Sequence, residues 1–377
     1  MREITVSCGP EADHTQALQQ ALDGGNCRVI LKAGCFNISR TLKLYSHTKI
    51  EATEQTLVRR ISRTAFLAED WLLTNADMDK GNENIEIAGG IWDANCAENP
   101  RGQDAYDLSQ YGGTAINFIG VKGLKLLDLT VANADSYFIR MCRVEEFQVH
   151  DVALFNNCPK INQDGVHLNG FCRNGTIRRL RAISPLTPGD DMVALNADDG
   201  WERYLNYRMA PGPIENIEIE DLEAESAYTF VRLLSQENLI RNITIRRMRG
   251  GVRKSLLNVG RWQFPPGGGN IRDVRVSDVD IHKMPDSVSS PEIDLRPLCL
   301  FELKVDNFII ENFKRSLLDG QVADTVRIDN GSPASVEFAP DGTSAALESE
   351  QGGLVQRLKY GGFKYFRIDK CQAGTAV

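Results

Sequence analysis

Two short stretches of the sequence concentrate carboxylates, Asn162-Gln163-Asp164-Gly165 and Gly189-Asp190-Asp191, and their acids are 26 residues apart. Three carboxyl groups gathered in one place raise one another's pKa, so the cluster retains a proton that isolated acids would lose. That split suits general acid/base chemistry, in which one carboxyl gives up a proton while another accepts one. The competing reading is that Asp164-Gly165 and Gly189-Asp190 are turn dipeptides. Pattern alone leaves both open.

Other residues are candidates to complete such a site. His167 follows Asp164 by three positions and shares outward parity with Asn169; an exposed strand histidine is the plainer reading, a site histidine the sharper one. Arg261-Trp262 stands beside a Pro-Pro-Gly-Gly-Gly loop, and a tryptophan next to an arginine makes a platform for a sugar ring. Arg253-Lys254 offers positive charge for an anionic substrate. Asp198-Asp199 reads as a loop turn, and the basic runs at Arg178-Arg179 and Arg246-Arg247 read as solvated faces.

Acids 26 residues apart meet only if the chain returns on itself at that period, and a repeated phrase says that it does. A turn residue is followed by apolar, any, apolar, two polar, apolar, any, apolar, as in Leu124-Lys-Leu126 with Leu129 and Val131, or Ile217-Glu-Ile219 with Leu222 and Ala224. Starts fall at 85, 124, 147, 175, 217, 243, 274, 303 and 326, in steps of 23 to 42 residues, the longest being close to two shorter ones. Period-2 alternation marks strands, and strands recurring at one-coil spacing without helical patterns indicate an all-β, single-stranded right-handed parallel β-helix. A leucine-rich repeat lacks its Leu and Asn framework here.

Asp13 as N-cap and Gly24-Gly25 as stop delimit a short helix over about residues 13–23, expected to cover the N-terminal end of the solenoid. The β-helix is expected over residues 1–320, with a last coil and a β-rich tail over 321–377, whose Tyr360, Phe363, Tyr365 and Phe366 read as packing residues. Strand parity leaves a difficulty. Val193 and Leu195 facing inward put Asp190, Met192 and Ala194 outside and Asp191 inside, so a bend at Gly189–Asp191 is needed to expose both acids. Asp164 shares parity with Val166 and Leu168 unless Gly165 breaks the strand, which leaves Asp190 the best single candidate.

Composition narrows the function classes. With 43 basic and 51 acidic residues in 377, the net charge is −8 and the pI about 5.3, which argues against a nucleic-acid partner. No apolar run approaches the roughly 18 residues that span a bilayer, and the start MREITVSCGPEADHTQ lacks a leader pattern, so no membrane partner and a cytoplasmic location are expected, or secretion if the chain was trimmed. The nine cysteines are scattered without a C-x-x-C pair and read as small buried residues, with no metal and no cofactor. A homo-oligomer is compatible.

The segments Thr114-Ala-Ile-Asn-Phe-Ile119, Ala134-Asp-Ser-Tyr-Phe-Ile-Arg-Met-Cys142, Asn162-x-Asp164-Gly165 and Gly189-Asp190-Asp191, with Gly89-Gly90-Ile-Trp-Asp-Ala-Asn95, resemble family 28 glycoside hydrolases, the polygalacturonase group of the pectin-lyase-like superfamily. The resemblance covers roughly residues 13 to 235. It implies an oligosaccharide or polysaccharide substrate and inverting hydrolysis of a pectin-type oligosaccharide, with Asp190 as general acid and Asp164 and Asp191 holding the water, a single displacement for which the working carboxyls stand about 6.5 to 9.5 Å apart. It also places Asn162 and Arg232 at the substrate. Two family features are missing: residues 196–215 contain no histidine, and Leu234 stands where a lysine follows the arginine. A neutral sugar or a modified uronide therefore stays open beside galacturonate, and His167 is the candidate replacement histidine. The alternatives are a polysaccharide lyase or transglycosidase on the same scaffold, and a non-catalytic carbohydrate-binding β-helix.

Overall fold

The computed structural model describes residues 1–199, 203–285, 296–316, 324–330, 334–342, 346–350, 355–359 and 362–370. The chain forms a right-handed parallel β-helix whose coils stack strand on strand. The repeated phrase is visible as register: Ile85 pairs with Leu124, Leu126 with Val149, Phe147 with Gly175, Gly175 with Ile217, Ile217 with Ile243 and Ile243 with Val274. Two earlier coils continue the same column through Cys27 and Thr48. They escape an apolar pattern because cysteine and threonine fill those inward positions, both buried. The last two starts are misplaced. Val274 pairs with Phe308 rather than Leu303, and Val326 pairs with Cys299 on a different face of the coil.

Each coil turns at corners that the side chains dictate. The turn residue of the phrase takes the left-handed conformation at Asn174, Asn216 and Asn242, with φ between 55° and 57°, which asparagine tolerates better than most residues. Stacked one coil apart, these amides also bond to one another. Asn216 Nδ2 donates to Asn174 Oδ1 and Asn242 Nδ2 to Asn216 Oδ1, both at 2.9 Å. The second polar position is a further left-handed corner, at Asp151, Arg179, Asp221, Arg247 and Asp278. At a third corner two consecutive residues both face the core, as in Phe138-Ile139, Met192-Val193, Phe230-Val231 and Leu256-Leu257.

A helix over Thr15–Leu22 lays Leu18, Ala21 and Leu22 on the first coil. It starts later than expected, with His14 at the cap position, while the Asp13 carboxylate accepts the Thr15 N–H at 2.9 Å. A strand over Arg2–Val6, absent from the sequence-based expectation, precedes it and pairs with Cys27–Leu31. Past Val305–Ser316 the chain reverses: Phe363–Lys370 runs antiparallel to that strand, with Phe313 and Phe363 stacked at 4.7 Å. Tyr360 and Cys371 lie outside the described residues. The eight described cysteines are free, and five of them are buried. Among the described residues no helix is long and apolar enough to cross a membrane.

Candidate functional site

The paired inward step resolves the parity difficulty in the acidic motifs. Met192 and Val193 both enter the core, so the break falls one residue later than expected; Met192 points inward, not outward, and Asp191 before it faces out. Gly165 pairs in space with Met192 on the following coil. A Cβ there would stand 2.6 Å from Leu154 Cδ1 and 2.5 Å from the Met192 carbonyl oxygen, so only glycine lets Asp164 leave the core side. Gly189 is fixed by the same logic, because a Cβ would meet the Lys160 carbonyl oxygen at 1.8 Å. The glycines of both motifs are close-approach residues that let the acids sit beside them, so the local backbone turns expected there are what bring the acids together.

Asp164, Asp190 and Asp191 therefore converge, one oxygen of each lying within 4.8 Å of the others. This is tighter than the separation expected for single displacement. The cause is the scaffold: two of the acids are sequence neighbours and the third lies one coil away, about 4.8 Å in a stacked sheet. Asp164 and Asp191 are each 4% exposed, whereas Asp190 is only half-buried. The Asp191 N–H donates to Asp164 Oδ1 at 3.3 Å, and Asp190 Oδ2 accepts the Asn162 N–H at 3.1 Å. Burial, then repulsion from Asp164, pushes the Asp190 carboxyl up to about 6, against the pull of Lys254 and Arg232. Burial and both neighbouring acids push Asp191 well above the usual carboxylate range. One proton is thus shared by the Asp190/Asp191 pair near neutrality.

These acids line a cavity of about 250 Å³ together with His167, Asn162, Arg203, Arg232, Lys254 and Trp262. A second hollow of about 410 Å³, containing Arg101 and Lys160, shares Asn162 and Arg203 with it. His167 is not an exposed strand residue. It is 1% exposed, its Nδ1 lies 2.6 Å from Asp164 Oδ2, and its Nε2 lies 3.5 Å from Asp199 Oδ2. Trp262 stands at the rim, 41% exposed, with the Arg203 guanidinium 5.5 Å from its ring. Arg261 does not join the cavity lining; its guanidinium donates to the Phe264 carbonyl at 2.9 Å, bracing the loop that carries Trp262.

The positive charge comes from two coils. Arg232 pairs in register with Ala194, and Lys254 arrives from the following coil with its ammonium 4.9 Å from the Tyr228 ring. Where the sequence offers Leu234 instead of a second cation, Lys254 supplies one, and facing Asp190 partly offsets the burial that lowers its pKa. Arg253 beside it is fully buried and donates to the Ser226, Leu186 and Pro188 carbonyls. Sequence reasoning gave no site role to Tyr137, which lies within the Ala134–Cys142 segment, to Arg203, which carries no motif, or to Asp199, which reads there as a turn. Asp198 is the turn residue expected, accepting the N–H groups of Gln236, Glu237 and Asn238 at 2.8 Å each, but Asp199 turns to His167.

No protein-family model matches the chain, and no curated protein is similar to it in sequence at a significant level. Solved structures do share its fold. A surface adhesin of Streptococcus pneumoniae has 14% identity and a TM-score of 0.57, over 98% of this chain and 100% of that one. An endo-xylogalacturonan hydrolase from Aspergillus tubingensis has 14% identity and a TM-score of 0.52, over 86% and 95%. A hyperthermoactive exopolygalacturonase from Thermotoga maritima has 14% identity and a TM-score of 0.51, over 87% and 90%. Those likenesses establish the β-helix for this chain.

Proposed function

We propose that this protein is a glycoside hydrolase of the family 28 type, cleaving a glycosidic bond in a pectin-type or related oligosaccharide. The observation that carries the reading is the convergence of three carboxylates within 4.8 Å beside Arg232 and Lys254. Such crowding opposes folding, and acid/base chemistry gives it a use. Two neighbours of the same fold that cleave sugar polymers, by their names, and the N-x-D-G and G-D-D motifs support it further.

Asp190 reaches the cavity and retains its proton to about pH 6, so it is the acid that protonates the leaving oxygen. Burial and its acidic neighbours make Asp191 the stronger holder of the shared proton, so the reactive form is the one in which that proton has passed to Asp190 and Asp191 is ionised; the Asp191 Oδ1 is buried without a hydrogen-bond partner. That oxygen holds the attacking water, with Asp164 as a fixed negative charge beside it. Trp262 offers a ring face to the sugar, and Arg232 with Lys254 favours an acidic one.

The test is a set of defined oligosaccharides incubated with the purified protein, Asp190→Asn serving as control. New reducing ends that disappear in the variant support hydrolysis. Products with the ultraviolet absorbance of an unsaturated uronide would assign a lyase. Binding without turnover, unchanged in the variant, would assign a sugar-binding β-helix.

A further inference from the structure

His167 lines the cavity but is almost fully buried, with an acid on either side of its ring. Its Nδ1 lies 2.6 Å from Asp164 Oδ2 and its Nε2 3.5 Å from Asp199 Oδ2, while Asn196 Nδ2 holds that same Asp199 oxygen at 3.4 Å. Tyr137 from the preceding coil stacks on the ring, centroids 4.1 Å apart and planes 18° from parallel, so the ring cannot turn. Each ring nitrogen therefore faces a carboxylate. A neutral imidazole has one N–H and one lone pair, and Nδ1 alone makes a hydrogen bond, to Asp164; the Asp199 carboxylate 3.5 Å from Nε2 faces a lone pair in the neutral ring and an ion-pair partner in the imidazolium, so only the imidazolium suits both sides.

We propose that His167 is a positioning residue: an imidazolium bridging Asp164 and Asp199 that fixes Asp164 as the ionised member of the acidic cluster, rather than a group that touches substrate. Both Asp164 oxygens are then committed, Oδ2 to His167 and Oδ1 to the Asp191 N–H. Asp164 is thereby barred from taking the cluster's proton, which is left to Asp190 and Asp191. Other charged groups nearby do not compete for the ring. Arg140, its register partner on the coil below, is turned away onto Asn117 and the Leu205 and Tyr207 carbonyls. Its partner on the coil above is Ala194, Tyr137 is held un-ionised by burial, and Arg203 lies across the Trp262 ring. Burial opposes the charged ring, but Asp164 and Asp199 outweigh it and carry the imidazole up to about 9.

The role of the proton rests on the hydrolase reading; the charge state of the ring does not, and the experiment separates the two. Imidazole NMR of the whole protein, with five histidines to resolve, is expected to show one ring that stays imidazolium through neutral pH and disappears in His167→Gln. Asp199→Asn should lower its titration by about one to two pH units, the usual effect of a lost partner charge. A ring titrating below 7, or one indifferent to Asp199→Asn, overturns the proposal whether or not the protein hydrolyses anything. In the enzyme, His167→Gln removes a positive charge from the acidic cluster, so the alkaline limb of kcat should move to higher pH as kcat falls and KM holds. A fall in kcat with the limb unmoved would leave His167 a packing residue and also overturn the proposal.

Discussion

Two faces of the same solenoid stack acids coil upon coil, and they do it to opposite effect. At the corner that carries Asp151, Arg179, Asp221, Arg247 and Asp278, signs alternate along the stack: Arg179 Nε donates to Asp151 at 2.5 Å and Arg247 Nε to Asp221 at 2.6 Å. Arg179 and Arg247 hold the Asp151 and Asp221 carboxyls below their usual range. At the other corner Asp164 lies over Asp191 with Asp190 alongside, and the Asp190 and Asp191 carboxyls are pushed the opposite way. The spacing is the same on both faces; what differs is the neighbour one coil away. A larger hollow of about 600 Å³ adjoins the paired corner, lined by Arg247, Asp278 and Lys314 among others. Size does not mark the site; unbalanced charge does.

The largest expected effect breaks that contrast at its acidic end. Asp190→Asn removes the proposed acid, and kcat should fall by about 10²- to 10⁴-fold, the usual worth of a general acid, with oligosaccharide binding retained. Asp221→Asn, an acid swap on the paired face, should leave kcat unchanged. The anomer formed first, read by NMR before mutarotation, sharpens the same comparison: inversion is expected, and retention would make Asp191 a nucleophile.

pH separates the faces next. Activity should decline as pH rises through about 6, where Asp190 gives up its proton. Stability follows with its own sign. An acid whose folded pKa lies above its unfolded value binds more protons when folded, so its contribution is lost between about pH 4 and 6 as pH rises. Asp190→Asn should therefore raise Tm by a few degrees at pH 7 to 8 and hardly at pH 4, while abolishing turnover. Equal Tm values at both pH values would show that the crowded acids store no destabilisation. Lys254→Met should act less strongly, moving the alkaline limb upward because the pull of the ammonium on Asp190 is gone, and weakening acidic sugars more than neutral ones.

The contrast also explains what the sequence made legible. Apolar periodicity located the coils from Ile85 to Val274 because a buried strand repeats its side chains every second residue, and that repeat survives any change in surface chemistry. It failed at Cys27, Thr48 and Leu303, where the inward residue is not a marker or the turn has another length. The motifs located Asp164, Asp190 and Asp191, yet parity misplaced Met192, because a corner with two inward residues looks like an ordinary strand in one dimension. Asp199 joins the cavity through stacking alone, and stacking is also what picks Lys254 rather than Arg253 as the charge beside Asp190. Their distances from Asp190 in sequence carry no period a single chain can reveal. Arg261 erred in the other direction: adjacent to Trp262 in sequence, it serves the loop's backbone instead.

The smallest expected effect lies on the paired face. Arg247 bridges Asp221 and Glu220, with its Nη2 2.9 Å from an oxygen of each, but the side chain is 36% exposed. Pairs so exposed contribute about 0.2 to 1 kcal/mol, because water screens them and ordering two long side chains opposes them. Arg247→Ala should therefore lower Tm only slightly at pH 7, more in low salt than in high, and leave kcat and its pH profile untouched. The sign with pH is opposite to that of the acidic cluster. Asp221 and Glu220 have depressed folded pKa values, so the stability they contribute is present above about pH 4 and lost as pH falls through the folded values. The wild-type advantage over Arg247→Ala should shrink below pH 4, whereas the advantage of Asp190→Asn over wild type grows above pH 6. Parallel pH dependence in the two variants would mean that the sign of the neighbouring coil does not set the behaviour of a stacked acid in this fold.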